Sequence, residues 1–104
     1  MGMTRFAATA ADRARGLLLR RPDGEELVLF PCNDVHTVGM RHPIDVAFVD
    51  AAGVVLETYR NVGPLRRLRN RQAVAVVERF ASCATPWMEP GDRLGVIGMK
   101  GEES

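Results

Sequence analysis

Long apolar runs are missing from this chain, and so are several of the residue types that announce a chemistry. None of its 104 residues lies in a stretch approaching the ~20 apolar positions that a membrane-crossing helix needs. The opening MGMTRFAATAADRARG lacks the apolar segment of a secretion signal, which predicts a cytoplasmic protein. There are only two cysteines, Cys32 and Cys83, too few for a disulfide framework; free thiols in a reducing compartment are expected. Lysine is nearly absent: Lys100 stands alone among 14 basic residues, the rest being arginine. Aromatic residues make up only 6% of the chain, and a net charge of +1 gives no overall attraction for polyanions.

What is present is the composition of an ordinary folded domain, 46% hydrophobic and 26% charged. At this length roughly 65% of the unfolded surface can be buried, enough for a core without metals or disulfides. A single domain over residues 1–104 is expected, with its core at about 5–98 and a frayed tail at 99–104.

Residues 9–19, TAADRARGLLL, predict the one helix. Thr9 suits an N-cap, Asp12 favours the positive end of the dipole, and Ala14, Leu17 and Leu18 form a stripe at helical spacing. Pro22-Asp23-Gly24 stops it. Leu27–Phe30 reads as a strand covered on both faces, and Val35–Met40 as a second, with His36, Val38 and Met40 on one side. After the Arg41-His42-Pro43 turn, Ile44–Val49 predicts a strand with Ile44, Val46 and Phe48 opposed to Asp45, Ala47 and Val49. Asp50-Ala51-Ala52-Gly53 then closes a hairpin onto Val54–Arg60, with Gly53 left-handed. Residues 61–72 read as a polar, arginine-rich loop, Ala73–Arg79 as a strand, Ser82–Met88 as a helical turn broken at Pro86, and Arg93–Ile97 as the last strand. The expected fold is mostly β (α+β): an antiparallel sandwich or barrel of about six strands with one N-terminal helix packed on it.

The chemistry gathers in Pro31–Asp50. His36 is either a histidine held in the fold by hydrogen bonds or a proton-transferring group in a pocket, oriented by Asp45 if their two strands pair. A metal reading of Cys32, His36, His42 and Cys83 meets a geometric objection. Four residues of extended chain span about 13 Å, too far for two ligands of one ion, so no metal and no cofactor is expected. A thiol nucleophile is a further possibility, but nothing nearby marks either cysteine as activated, and small buried cysteine is the ordinary case. A second cluster, Arg60, Arg66, Arg67, Arg69 and Arg71, lies in a run free of acidic residues from Thr58 to Val77. It is a solvated loop or an anion site; without aromatic residues in it, nucleic acid is not the expected partner. Trp87 and Met88 read as core cover, with a partner-binding patch as the alternative.

The stretch VHTVGMRHPIDVAFVD, with the earlier RARGLLLR and the later EPGDRL, resembles the Domain of Unknown Function 192 family. His36-Thr37, Met40, Pro43-Ile44-Asp45 and Phe48–Asp50 stand in that family's order, and the likeness runs from about Arg13 to Ile97. Three positions depart from it. Gly39 stands where an aromatic residue is usual, Glu26 where a glycine is expected, and Phe80-Ala81-Ser82 in place of Pro-Ala-Gly. The resemblance implies a small, mostly β domain of bacteria and archaea and supplies no agreed activity, substrate or cofactor.

Three functional readings follow. The leading one is a binding module in which Arg15, His36, Thr37, Met40, Asp45 and Glu78 line a pocket for a small molecule or a peptide. The second is an enzyme with His36 and Asp45 as an acid–base pair. The third is an accessory protein contacting a protein or nucleic acid through Arg66, Arg67, Arg69 and Arg71. No membrane association is expected, and the oligomeric expectation is a monomer or weak homodimer.

Overall fold

Two six-residue strands, Ile44–Val49 and Ala75–Phe80, are buried at every position. Successive side chains of a strand point to opposite faces, so such strands must be covered on both sides. The computed structural model describes residues 4–7 (as backbone), 26–82 and 85–94. It contains β1 Thr4–Ala7, β2 Glu26–Leu29, β3 Asp34–His36, β4 Ile44–Val49, β5 Val55–Val62, β6 Arg67–Arg69 and β7 Ala75–Phe80. A five-stranded sheet runs β1-β2-β7-β4-β5, and β3 and β6 form a separate two-stranded ladder. Six strands make antiparallel ladders, while β1 joins β2 in parallel.

Alternation along the strands sorts the core into two layers. Leu27, Leu29, Ile44, Val46, Phe48, Val76 and Phe80 cluster on one face, where Val35 of β3 and Leu68 of β6 join them. Val28, Ala47, Val49, Val55, Ala75 and Val77 cluster on the other, covered by Trp87. The two-stranded ladder thus packs on the first face, and the segment carrying Trp87 crosses the second. That segment is tied to β5 by backbone bonds from Gly91 N to Val55 O (2.9 Å) and Val55 N to Asp92 O (2.8 Å).

The β4–β5 hairpin closes as expected. Gly53 has φ 86°, and Asp50 Oδ1 accepts from the amides of Ala52 (2.9 Å) and Val54 (3.0 Å). A side chain at φ near +86° is strained, and glycine avoids that cost. The buried character of residues 27–29 and the opposed faces of β4 also agree with the sequence.

Several elements differ. The second expected strand ends at His36 instead of Met40, because Met40 N turns back to Thr37 O (3.0 Å) and Gly39 takes φ 87°. His36, Val38 and Met40 therefore do not share a strand face; Val38 is 54% exposed, whereas Met40 packs against the first core layer. Arg67–Arg69, expected in a loop, is a strand because β3 offers it a ladder and Leu68 a place in the core. Thr85–Met88 is not helical, and of the last expected strand the described part shows one bridge, Arg93 to Val54. The helix at 9–19, Cys83 and the tail 99–104 lie outside the described residues. Among the described residues no helix is long and apolar enough to cross a membrane.

Candidate functional site

Asp45 lies directly across from Arg79 in the β4–β7 ladder, on the face covered by Trp87. Both are buried, at 0% and 1% exposure. Arg79 Nε donates to Asp45 Oδ2 at 2.9 Å, and the rest of the guanidinium is held by Thr85 Oγ1 (2.9 Å), Thr85 O (2.7 Å) and Pro86 O (3.4 Å). The Trp87 ring lies 4.6 Å from Arg79 Cζ, at cation–π distance. Its indole N–H donates to Val46 O at 3.3 Å.

The other carboxylate oxygen of Asp45 serves a bulge. Between Ile44 and Val46 the pairing advances two residues on β4 but three on β5, from Val62 to Tyr59. Asn61, at φ 55°, is displaced from the ladder, and its amide donates to Asp45 Oδ1 at 2.8 Å. The exposed side chain of Arg60 reaches the same oxygen through Nε at 3.1 Å. Both carboxylate oxygens are thus committed, and among the described residues no buried side-chain nitrogen or oxygen lacks a partner. A sealed ion pair of this kind contributes register and closure, since breaking either half leaves an uncompensated charge.

The β3–β6 ladder is organised the other way. Val35 and Leu68 point into the core, so Asp34, His36, Arg67 and Arg69 share the outward face. Arg67 grips Asp34 with two bonds, Nε to Oδ1 at 3.1 Å and Nη2 to Oδ2 at 2.6 Å. This hydrogen-bonded arginine is the main reason that the Asp34 carboxyl titrates below its usual value of 3.8. Arg66, Arg69 and Arg71 are exposed and make no ion pair among the described residues.

Thr37 joins the ladder to the loop that precedes β6. It is 1% exposed; its hydroxyl donates to Gly63 O (2.7 Å) and accepts from Arg66 N (2.9 Å). Its amide donates to Arg66 O (2.8 Å). These bonds set Val38 and Leu65, exposed by 54% and 77%, on neighbouring loops beside the arginines.

The candidate residues divide accordingly. His36 and Thr37 meet Arg66 and Arg67 along one ladder. Asp45 lies on the opposite face of the sheet from Glu78, which pairs across from Val46 and is buried. Strands β3 and β4 do not pair, His36 is exposed, and no hydrogen bond joins it to Asp45. Arg15 lies outside the described residues. Cys32 donates its thiol hydrogen to Asp34 O (3.3 Å), His42 meets Phe80 edge-on with centroids 6.0 Å apart, and Trp87 is core cover. No group of three or more metal-binding side chains gathers among the described residues. Arg79, in the sequence only the end of an expected strand, is a central member of the buried cluster. The available signal was two adjacent charges, Glu78 and Arg79, inside the AVVERF run, where a buried strand demands partners for them.

Comparison with known proteins adds the family and the fold. A structure of a protein of unknown function from Novosphingobium aromaticivorans DSM 12444 superposes with a TM-score of 0.72 at 24% identity, covering 86% of this chain and 71% of that one. A protein from Sinorhizobium meliloti 1021, described as a candidate transcription regulator, superposes at 0.75 with 20% identity, covering 86% and 78%. At these identities the likeness is one of fold. No curated protein matches the chain. The model of the DUF192 family, described as "Uncharacterized ACR", matches residues 3–96, nearly the whole length, and the chain belongs to that family.

Proposed function

We propose that this protein is a binding module for acidic peptide segments, with the outward face of the β3–β6 ladder and its adjoining loops as the recognition surface. One observation carries the reading: Thr37 and Arg66 exchange backbone and side-chain hydrogen bonds, with His36 opposite Arg67. The polar stretch around His36 and the arginine run, some thirty positions apart (|i−j| = 29 for Thr37 and Arg66), thereby form one surface. It offers exposed guanidinium groups on Arg66, Arg69 and Arg71, and two exposed apolar side chains, Val38 and Leu65. Arginine forks match carboxylates in two-point geometry, and apolar tips beside them suit a peptide that carries hydrophobic as well as acidic residues.

The acid–base reading of His36 with Asp45 is less well supported, because the Asp45 carboxylate is fully committed to Arg79, Arg60 and Asn61. A regulator-like role on nucleic acid has the arginines in its favour, but Trp87 is buried and Tyr59 half-buried, which leaves no exposed tryptophan or tyrosine among the described residues to stack on a base.

The test is fluorescence anisotropy with a labelled Asp-Val-Asp-Val-Asp peptide and its Lys-Val-Lys-Val-Lys counterpart. The aspartate peptide binds and the lysine peptide does not, and Arg66→Gln/Arg69→Gln/Arg71→Gln removes the binding without changing the melting temperature. Equal binding of the two peptides sinks the reading. Tighter binding of duplex DNA, with the steep salt dependence of phosphate contacts, would move the surface to nucleic acid instead.

A further inference from the structure

The way the ladder ends suggests how such a peptide would be held. Backbone bonds from Thr37 N to Arg66 O (2.8 Å) and from Asn70 N to Asn33 O (3.0 Å) flank the β3–β6 pairing. In an antiparallel ladder, bonded and non-bonded residue pairs alternate. Val35 and Leu68 are therefore a bonded pair, while Asp34 with Arg69 and His36 with Arg67 are non-bonded pairs. The amide and carbonyl groups of Arg67 and Arg69 consequently point away from β3, along the outer edge of β6. No strand pairs with that edge and no hydrogen bond occupies those groups among the described residues. The β3 edge is less available, because Asp34 O already accepts from the Cys32 thiol.

We infer that the outer edge of β6 is a strand-addition site, at which an extended acidic segment pairs antiparallel with Arg67–Arg69. This inference rests on the acidic-peptide reading above and specifies its binding mode. A segment added here aligns two of its residues directly opposite Arg67 and Arg69, on the face where those guanidinium groups stand. Carboxylates at those alternate positions meet the arginines, and the residue between them turns toward the side of Leu68, where an apolar side chain fits. The recognised pattern is acidic–apolar–acidic. Arg69, free of any ion pair among the described residues, is the first anchor; Arg67 is already steered to the outward face by Asp34. Charge also selects the occupant. Edge arginines repel the same edge of a second copy, as charged edge residues commonly do, and attract an acidic strand.

The geometry makes a sharp demand. In antiparallel pairing, the peptide residues opposite Arg67 and Arg69 are also the ones whose amides bond to β6. The probe is the labelled Asp-Val-Asp-Val-Asp peptide, compared with one N-methylated at the aspartates and one N-methylated at the valines. Methylation at the aspartates is expected to weaken binding about tenfold or more, and methylation at the valines to leave it within about threefold. On saturation with the unmethylated peptide, exchange of the Arg67 and Arg69 amide protons slows. Arg69→Glu abolishes binding of the acidic peptide, with its melting temperature checking that the variant is folded. If the peptide binds and depends on the arginines, yet both methylated forms bind as well as the parent, the module reading stands and strand addition is overturned. The reversed methylation pattern overturns antiparallel addition. Absence of any binding overturns both.

Discussion

The two charged regions of this domain are built on the same pairing, an aspartate and an arginine across an antiparallel ladder, and they differ in what is left over. Around Asp45 and Arg79 nothing is. The carboxylate serves an arginine, a bulge amide and a second arginine, the guanidinium serves carbonyls of the crossing segment, and Trp87 closes the cluster. Around Asp34 and Arg67 much is left: three exposed guanidinium groups and the outward backbone groups of β6. A charge whose valences are all satisfied inside the fold contributes to holding the fold. A charge displayed beside free backbone is available to something else. Residue type alone does not separate the two cases, since both are Asp–Arg pairs; burial and committed hydrogen bonds do.

The largest effect that would break this contrast is expected at the closed cluster. Asp45→Ala leaves the Arg79 guanidinium buried without its counter-charge and the Asn61 amide without its acceptor, at a cost of about 3–5 kcal/mol in a urea unfolding experiment. The double variant Asp45→Leu/Arg79→Leu recovers part of that loss, because removing both charges removes the uncompensated ion. A single-variant cost below about 1 kcal/mol would mean that water or another group reaches Arg79, and the cluster would no longer count as sealed.

A smaller effect sharpens the open region, where Thr37 ties the β3–β6 ladder to the loop that precedes β6. Thr37→Val keeps the shape but removes the hydroxyl shared by Gly63 O and Arg66 N, for about 1–3 kcal/mol. The expected consequence is faster amide exchange over residues 63–66, with the β4–β7 pairing unaffected. Exchange that quickens across the whole sheet would show that the ladder is part of the main cooperative unit and not an appendage to it.

How much of this the sequence discloses depends on the range of the interactions. The faces of β4, the Gly53 hairpin and the buried run at 27–29 are legible, because each depends on alternation or turn chemistry within a few residues. The Asp45–Arg79 pair joins residues 34 positions apart, and its existence follows from a register that no local pattern states. Strand β6 is hidden for another reason. In Arg-Leu-Arg a single apolar residue is the whole β signal, and the surrounding arginines read as loop until β3 is found alongside. The stretch 36–40 misled in the opposite direction: alternation suggested a strand, but Gly39 permits a turn that sends Val38 outward and Met40 inward. Of the candidate residues, His36 and Thr37 lie along the same ladder as Arg66 and Arg67. Asp45 and Glu78, grouped as polar residues matching the family pattern, are sent to opposite faces by the pleat.

The smallest effect lies at the open pair and follows from its proton linkage. Asp34 is depressed below 3.8 chiefly by its hydrogen bonds to Arg67, with Arg69 and His36 adding to the lowering and burial opposing it. A carboxyl whose folded pKa is depressed stabilises the fold above its unfolded value. That contribution is lost as the pH falls through the folded value, here below 3.8. The pair is exposed and screened, so the change in global stability is slight, and a local probe is needed. Following the Asp34 carboxyl carbon by NMR, the midpoint is expected below 3.8 in the parent and shifted upward in Arg67→Gln. An unchanged midpoint in that variant would mean that Arg69 and His36 carry the lowering instead of Arg67. If the ladder amides also lose protection as Asp34 protonates, the ion pair is holding β3 to β6 and resembles Asp45 after all. If protection persists, Val35 and Leu68 hold the ladder by their burial, and its charged face is free to engage a partner.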